Sequence, residues 1–262
     1  MTLRVLTYLA PSIPLGLFEL VVERLRRVLG VRATLRAEAR HSGPPPDIPD
    51  PFSADEADLA FLCSPSFAWL SGMRPSPIEL VPAAPVLLEP RTAGRPVYFS
   101  DVIVHPGVAS ASFEERNLLA RLRALGEDRH FLRTARRSGS HLRSVELTAR
   151  GEVDGAAVDS NVLALLRRRD PLLCERVRVV ASWGPYAVQP IVVRGGTAIA
   201  RILLAMGREP AVRAALAAFG VGGFAPTSRA AYEADLAALG SDLHLAELPV
   251  AEGRVQQCSS AS

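Results

Sequence analysis

The chain of 262 residues contains no lysine; all 30 of its basic residues are arginine. Coding bias accounts for such an absence, but the absence still excludes chemistry. No lysine side chain is present to form a Schiff base with pyridoxal phosphate or to reach a nucleotide phosphate from a P-loop. What remains is the planar arginine fork, which suits carboxylates and phosphates. Cysteine is scarce as well. Cys63, Cys174 and Cys258 are odd in number and far apart, so neither a metal-ligand spacing nor a disulfide framework is visible. A reduced compartment, or indifference to redox, fits. No apolar run of about 20 residues is present to span a bilayer. Nor does a basic, then apolar, then small-residue leader precede Leu3. The expectation is a cytoplasmic protein, or a periplasmic or extracellular one whose export signal has been removed, with no direct insertion into a membrane.

Charge of one sign is lacking too. The net charge is only +3, and arginines alternate with acids, as in Glu23-Arg24 and Glu114-Glu115-Arg116. The one dense run, Arg167-Arg168-Arg169, is followed by Asp170 and reads as a solvated helix end rather than a nucleic-acid patch. Catalytic motifs are missing: there is no Gly-x-Ser-x-Gly elbow and no His-Glu-x-x-His. Gly220-Val221-Gly222-Gly223 lies near a helix end rather than between a strand and a helix, so it is not a phosphate loop. Ser140 and His141 are neighbours at a helix start and do not face each other, so they make no dyad. No catalytic residue, metal or cofactor is expected, and the balance lies against an enzyme.

Strand-like and helix-like segments do alternate along the chain. Leu3 to Tyr8 reads as a strand, followed by a helix from Leu15 to Leu29 that stops at Gly30, and by a strand from Val31 to Ala37. The five prolines between His41 and Phe52 mark a loop. Ala57 to Leu62 is a short strand, and Ser64-Pro65-Ser66 opens a short helix. Leu80 to Leu88 is an irregular extended run, and Pro96 to Val104 a strand. Phe113 to Leu125 reads as a helix and Phe131 to Arg136 as a short strand. His141 to Arg150 is a helix, Gly155 to Asp159 a strand, and Ser160 is expected to cap a helix to Arg169. Arg176 to Ala181 and Ala187 to Val193 read as strands. Three helices follow, at Ala198 to Met206, Pro210 to Phe219 and Arg229 to Leu239. Such alternation builds α/β architectures with parallel sheets. Extended crossings near 82–96 and 181–190 bracket a middle segment. The expected fold is therefore two-lobed, with the second lobe (92–184) inserted into the first (1–88 and 188–250) through two hinge strands, and a disordered tail at 251–262. In such sheets ligands bind beyond the carboxyl ends of the strands, where helix N-termini offer free N–H groups.

Four segments carry a resemblance to a known family. They are Leu3-Arg4-Val5-Leu6-Thr7-Tyr8-Leu9; Ala57-Asp58-Leu59-Ala60-Phe61-Leu62-Cys63-Ser64-Pro65; Val97-Tyr98-Phe99-Ser100-Asp101-Val102-Ile103-Val104; and Ser138-Gly139-Ser140-His141 with Glu152-Val153-Asp154-Gly155-Ala156-Ala157-Val158-Asp159-Ser160. In order and spacing they resemble the phosphate/phosphite/phosphonate-binding proteins of ABC transporters, which have the type II periplasmic-binding-protein fold. The resemblance implies two α/β lobes, a hinge, and a small anion or zwitterion in the cleft. It nominates Tyr8, Ser64, Ser66, His141 and Asp159 as ligand contacts, with Tyr186 on the return crossing Gly184-Pro185-Tyr186. Tyr98 and Ser100 join them through strand alternation, which sets these two on one face and Asp101 on the other. One departure stands out: relatives carry a Ser/Gly-rich turn that cradles the anion, whereas here Ser112-Phe113-Glu114-Glu115 runs straight into Arg116-Asn117-Leu118-Leu119.

Three functions fit this pattern. The first, adopted here, is a solute-binding protein that closes on a phosphonate- or phosphate-type oxyanion and delivers it to an ABC permease. A cytoplasmic enzyme on the same scaffold, similar to chorismate dehydratase or the pyrimidine-synthesising enzymes of thiamine biosynthesis, is the second. The third is a degenerate ligand-sensing module that has kept the fold without the cradle.

Overall fold

The structure is a computed structural model, and residues 2–38, 49–107, 138–195 and 198–233 are described. The expected elements at 113–125 and 131–136, the departure after Ser112, most of the proline-rich loop, the helix beyond 233 and the tail at 251–262 lie outside the described residues. Strand β1 (Thr2–Thr7) leads into α1 (Leu15–Leu29), then β2 (Arg32–Ala37), β3 (Leu59–Phe61), α2 (Ser64–Gly72), β4 (Glu79–Leu80) and β5 (Ala83–Leu87). A 3-10 turn at Pro90–Thr92 precedes β6 (Val97–Val104). After it come α3 (His141–Ala149), β7 (Gly155–Asp159), α4 (Ser160–Arg169), α5 (Pro171–Glu175) and β8 (Arg178–Ala187). The chain then forms β9 (Ile191–Val193), α6 (Ala198–Met206), α7 (Pro210–Ala217) and β10 (Val221–Pro226).

Helix α1 forms because Leu17, Phe18, Val21, Val22 and Leu25 recur at helical spacing and all five are buried. Gly30 ends it in the left-handed conformation, φ 66°, where its N–H reaches the Arg26 carbonyl. The helix covers one face of a five-stranded sheet with order β2-β1-β3-β9-β4. There β1 pairs in parallel with β2 and β3, while β9 runs antiparallel to β3 and β4. Strand alternation sorts side chains into two cores. Leu3, Val5, Leu59, Phe61, Ile191 and Val193 join α1 and α6 on one face, and Leu6, Tyr8, Ala60, Leu62 and Val192 join Phe67 and Leu70 on the other. Strands β5 and β10 form a separate antiparallel pair beside the first core.

A three-stranded sheet, β7-β6-β8, is built by the chain between β5 and β9. Both pairings are antiparallel, which corrects the expectation of parallel sheets throughout. Sequential alternation of strand and helix does not by itself decide strand direction. Two crossings link the sheets, and they lie side by side: Val97 is opposite Ala187, and the Val188 N–H donates to the Pro96 carbonyl at 3.1 Å. Strand β8 is longer than expected and contains Gly184-Pro185-Tyr186, so the return crossing begins inside the sheet rather than after it. The segment expected as a strand from Ala187 to Val193 is reduced to Ile191–Val193.

Helix α4 serves both lobes. Leu163 packs in the core of the three-stranded sheet, whereas Val162 and Leu165 pack in the first core. Ser160, expected to cap this helix, is its first residue. Its hydroxyl instead donates to Glu89 Oε2 and accepts from the Phe99 N–H at 3.1 Å. On the same crossing, Arg91 forms two 2.9 Å bonds to both carboxylate oxygens of the buried Asp101. It also bonds Ser182 at 2.8 Å and Glu89, and lies over the Phe99 ring at 4.8 Å. A carboxylate as buried as Asp101 is tolerated only when paired in this way.

Candidate functional site

Asp159 closes β7 after the apolar run from Gly155 to Val158. It occupies the N-cap position of α4, but its side chain makes no capping bond. The carboxylate turns instead toward the crossing. Its Oδ2 accepts from Gln189 Nε2 at 2.7 Å and lies 3.4 Å from His141 Nε2. Burial pushes the Asp159 carboxyl above the usual carboxylate range, and His141 and Gln189 offset part of that shift.

His141 is the first residue of α3. Ser140 caps that helix by accepting from the Arg143 N–H at 3.1 Å, and the Ser138 and Ser144 hydroxyls are 2.7 Å apart behind it. The imidazole is thus fixed at a helix N-terminus with 41% of its side chain exposed. A helix N-terminus is an environment that favours anions.

The start of α2 follows β3. Cys63 holds the N-cap position, and its sulfur is 3.0 Å from the Ser66 hydroxyl. Burial raises the Cys63 thiol, and the charge of Asp159 adds to the effect. The strand end that leads into α2 meets the crossing directly: the Leu62 N–H donates to the Pro190 carbonyl at 3.0 Å, next to Gln189. Ser64, half-buried, is the first helical residue on this side.

The remaining nominated residues divide by position. Ser100 is buried and is the cross-strand partner of Asp159 on one side and Trp183 on the other. Tyr98 is opposite Tyr186, with ring centroids 5.8 Å apart. Tyr8 is buried in the second core of the five-stranded sheet, its N–H bonded to the Phe61 carbonyl. Ser66 is buried against Cys63. The structure thus brings His141, Asp159 and Ser100 together, with the α2 start nearby. It sets Tyr98 and Tyr186 on the hinge strands and Tyr8 in the packed interior.

Gln189 was not nominated from the sequence. The signal was present, because Val188-Gln189-Pro190 puts one polar residue in an apolar run. A buried amide in such a run needs a partner, and Asp159 is that partner. Among the described residues, no group of three or more His, Cys, Asp or Glu side chains converges as a metal site, and no helix is long and apolar enough to cross a membrane.

Residues 100–232 match the family described as "ABC transporter, phosphonate, periplasmic substrate-binding protein". No curated protein matches the chain in sequence. Among solved structures, the PhnD1 protein of Prochlorococcus marinus in complex with methylphosphonate is similar with a TM-score of 0.69 at 16% identity, over 93% of this chain and 98% of that one. A binding protein component of an ABC phosphonate transporter from Pseudomonas aeruginosa gives 0.64 at 14% identity, over 93% and 96%. The periplasmic aliphatic sulphonate-binding protein of Escherichia coli gives 0.56 at 14% identity, over 95% and 94%. At these identities the structural likeness establishes the fold: two α/β lobes of the type II periplasmic-binding-protein kind, joined by the two crossings.

Proposed function

The chain belongs to the family of periplasmic substrate-binding proteins of phosphonate ABC transporters, and from this membership we propose that it holds a phosphonate- or phosphate-type oxyanion between its lobes and delivers it to an ABC permease from the periplasm. The observation that carries the proposal is the polar chain His141–Asp159–Gln189. It joins a helix N-terminus of one lobe to the crossing that leads back into the other. In the proposed complex the His141 ring and the amides of the first turn of α3 receive the oxyanion. Asp159 orients the ring, and Gln189 holds the Asp159 carboxylate. Ser64 contributes its hydroxyl from the α2 start. Ser100 supports Asp159 from the neighbouring strand, Tyr98 and Tyr186 form the hinge wall, and Tyr8 and Ser66 stiffen the floor beneath. Binding leaves the ligand chemically unchanged, and lobe closure covers it.

The test is calorimetric titration with inorganic phosphate, phosphite, methylphosphonate, sulfate and acetate. A phosphorus oxyanion is expected to bind in preference to acetate. His141→Ala should weaken that binding about 10- to 100-fold, the range for a lost hydrogen bond to a charged group. A protein that melts cooperatively yet binds none of these anions would overturn the proposal.

A further inference from the structure

The lobes also touch away from the two crossings, and α4 makes the contact. The helix follows β7 directly and packs Leu163 into the core of the three-stranded sheet. Yet Val162 and Leu165, on the same helix, belong to the core of the first lobe, with Ile13 and Leu17. Leu165 lines one hollow with Leu9, just past the carboxyl end of β1, and so reaches the side of the first sheet where ligands of such folds bind. One turn further on, Arg168 Nη1 donates to the Ala217 carbonyl at 3.0 Å. Ala217 is the last residue of α7, where the carbonyl ends of the helix favour a cation. Gly220 lies between these contacts. A Cβ there would stand 3.6 Å from Leu165 Cδ2 and 4.0 Å from Arg168 Nη1, so α4 lies close against its backbone. Its carbonyl accepts the Leu88 N–H at 2.8 Å, at the foot of the first crossing.

Because α4 is packed into both lobes, a rotation of one lobe on the other must shift or break one set of its contacts. We propose that α4 is a brace: the Arg168–Ala217 bond and the Leu165 packing hold the inserted lobe against the first and so limit how far the cleft opens. A ligand that needs the closed form binds more weakly as the closed fraction falls. Arg168 therefore acts on affinity from outside the site, through the opening alone. The effect on affinity rests on the oxyanion reading above, whereas the effect on the opening does not. Arg168 is exposed, so its loss leaves the fold itself largely intact.

The test compares the full chain with Arg168→Ala, and uses Arg169→Ala as a control that takes the same charge from the same helix end. Small-angle scattering without ligand should give Arg168→Ala a larger radius of gyration than the wild type, and Arg169→Ala the wild-type value. Calorimetric titration with methylphosphonate and inorganic phosphate should find binding weakened about three- to ten-fold in Arg168→Ala, the range for one lost hydrogen bond, and unchanged in Arg169→Ala. A guanidinium that only capped α7 would lower the urea midpoint while radius and affinity stayed as they were, and that result would overturn the proposal. A smaller radius with tighter binding would also overturn it, because the contact would then hold the cleft open. Equal changes in both variants would do the same, with net charge as their cause. Should the wild type bind neither anion, the oxyanion reading fails, and the unliganded radii decide the brace by themselves: a larger one in Arg168→Ala alone supports it, and equal radii overturn it.

Discussion

Asp159 is a carboxylate that burial makes costly to ionise. Because its folded-state pKa lies above the ordinary value of about 3.9, the stability linked to it is fully present below that ordinary value. It is lost as the pH rises through the raised one. Asn keeps an oxygen for Gln189 and never ionises. Asp159→Asn should therefore unfold at higher urea concentration than the wild type at pH 7, and the gap should close as the pH falls below about 4. Equal midpoints at both pH values would contradict the burial argument. His141 is the opposite kind of residue. It is half-buried at a capped helix start, with Asp159 3.4 Å from its ring, so truncating it is expected to change binding while stability is largely kept.

Among the elements, the return crossing is the most constrained. Gly184 on β8 has φ 126°, a conformation that L side chains rarely adopt. A Cβ there would meet the Tyr98 carbonyl oxygen at 3.0 Å and the Tyr186 nitrogen at 3.1 Å. Those are backbone atoms of the hinge strands and cannot swing away. Gly184→Ala should cost roughly 1–3 kcal/mol in urea unfolding, and it should weaken oxyanion binding as well, because the strained residue lies where the two lobes join. Unchanged stability would mean that β8 relaxes there. Helix α4 links the lobes differently, with Leu163 in one core and Val162 and Leu165 in the other. Residues on its two sides therefore report on separate lobes. Strand β10 shows how pairing overrides composition. Val221-Gly222-Gly223-Phe224-Ala225-Pro226 has weak strand propensity, and the Gly220-Val221-Gly222-Gly223 stretch at its start lies near a helix end. It nevertheless pairs with Ala83–Leu87, with a bulge between Val221 and Gly223.

For the whole molecule, closure on a ligand should be visible as both compaction and stabilisation. At 100 times its dissociation constant a ligand adds about 2.7 kcal/mol. In a chain of this size that raises Tm by about 5–10 °C, and small-angle scattering should show a smaller radius of gyration in the same sample. Stabilisation without compaction would mean that the lobes are already closed on one another. Much of this architecture could be read along the chain. The spacing of Leu17, Phe18, Val21, Val22 and Leu25 specifies α1, the Gly155–Val158 run specifies a buried strand, and the order of these segments points to two lobes, because periodicity and turn chemistry are local properties of a sequence. His141 and Asp159 were legible in the same local way, each at the junction of a strand or turn with a helix. Strand direction in the three-stranded sheet, the partner of β10 and the role of Ser160 were not legible. Each depends on which distant backbone or carboxylate arrives opposite. Gln189 belongs with them: it meets Asp159 only after both crossings are laid side by side, and burial then decides that its amide must bond that carboxylate.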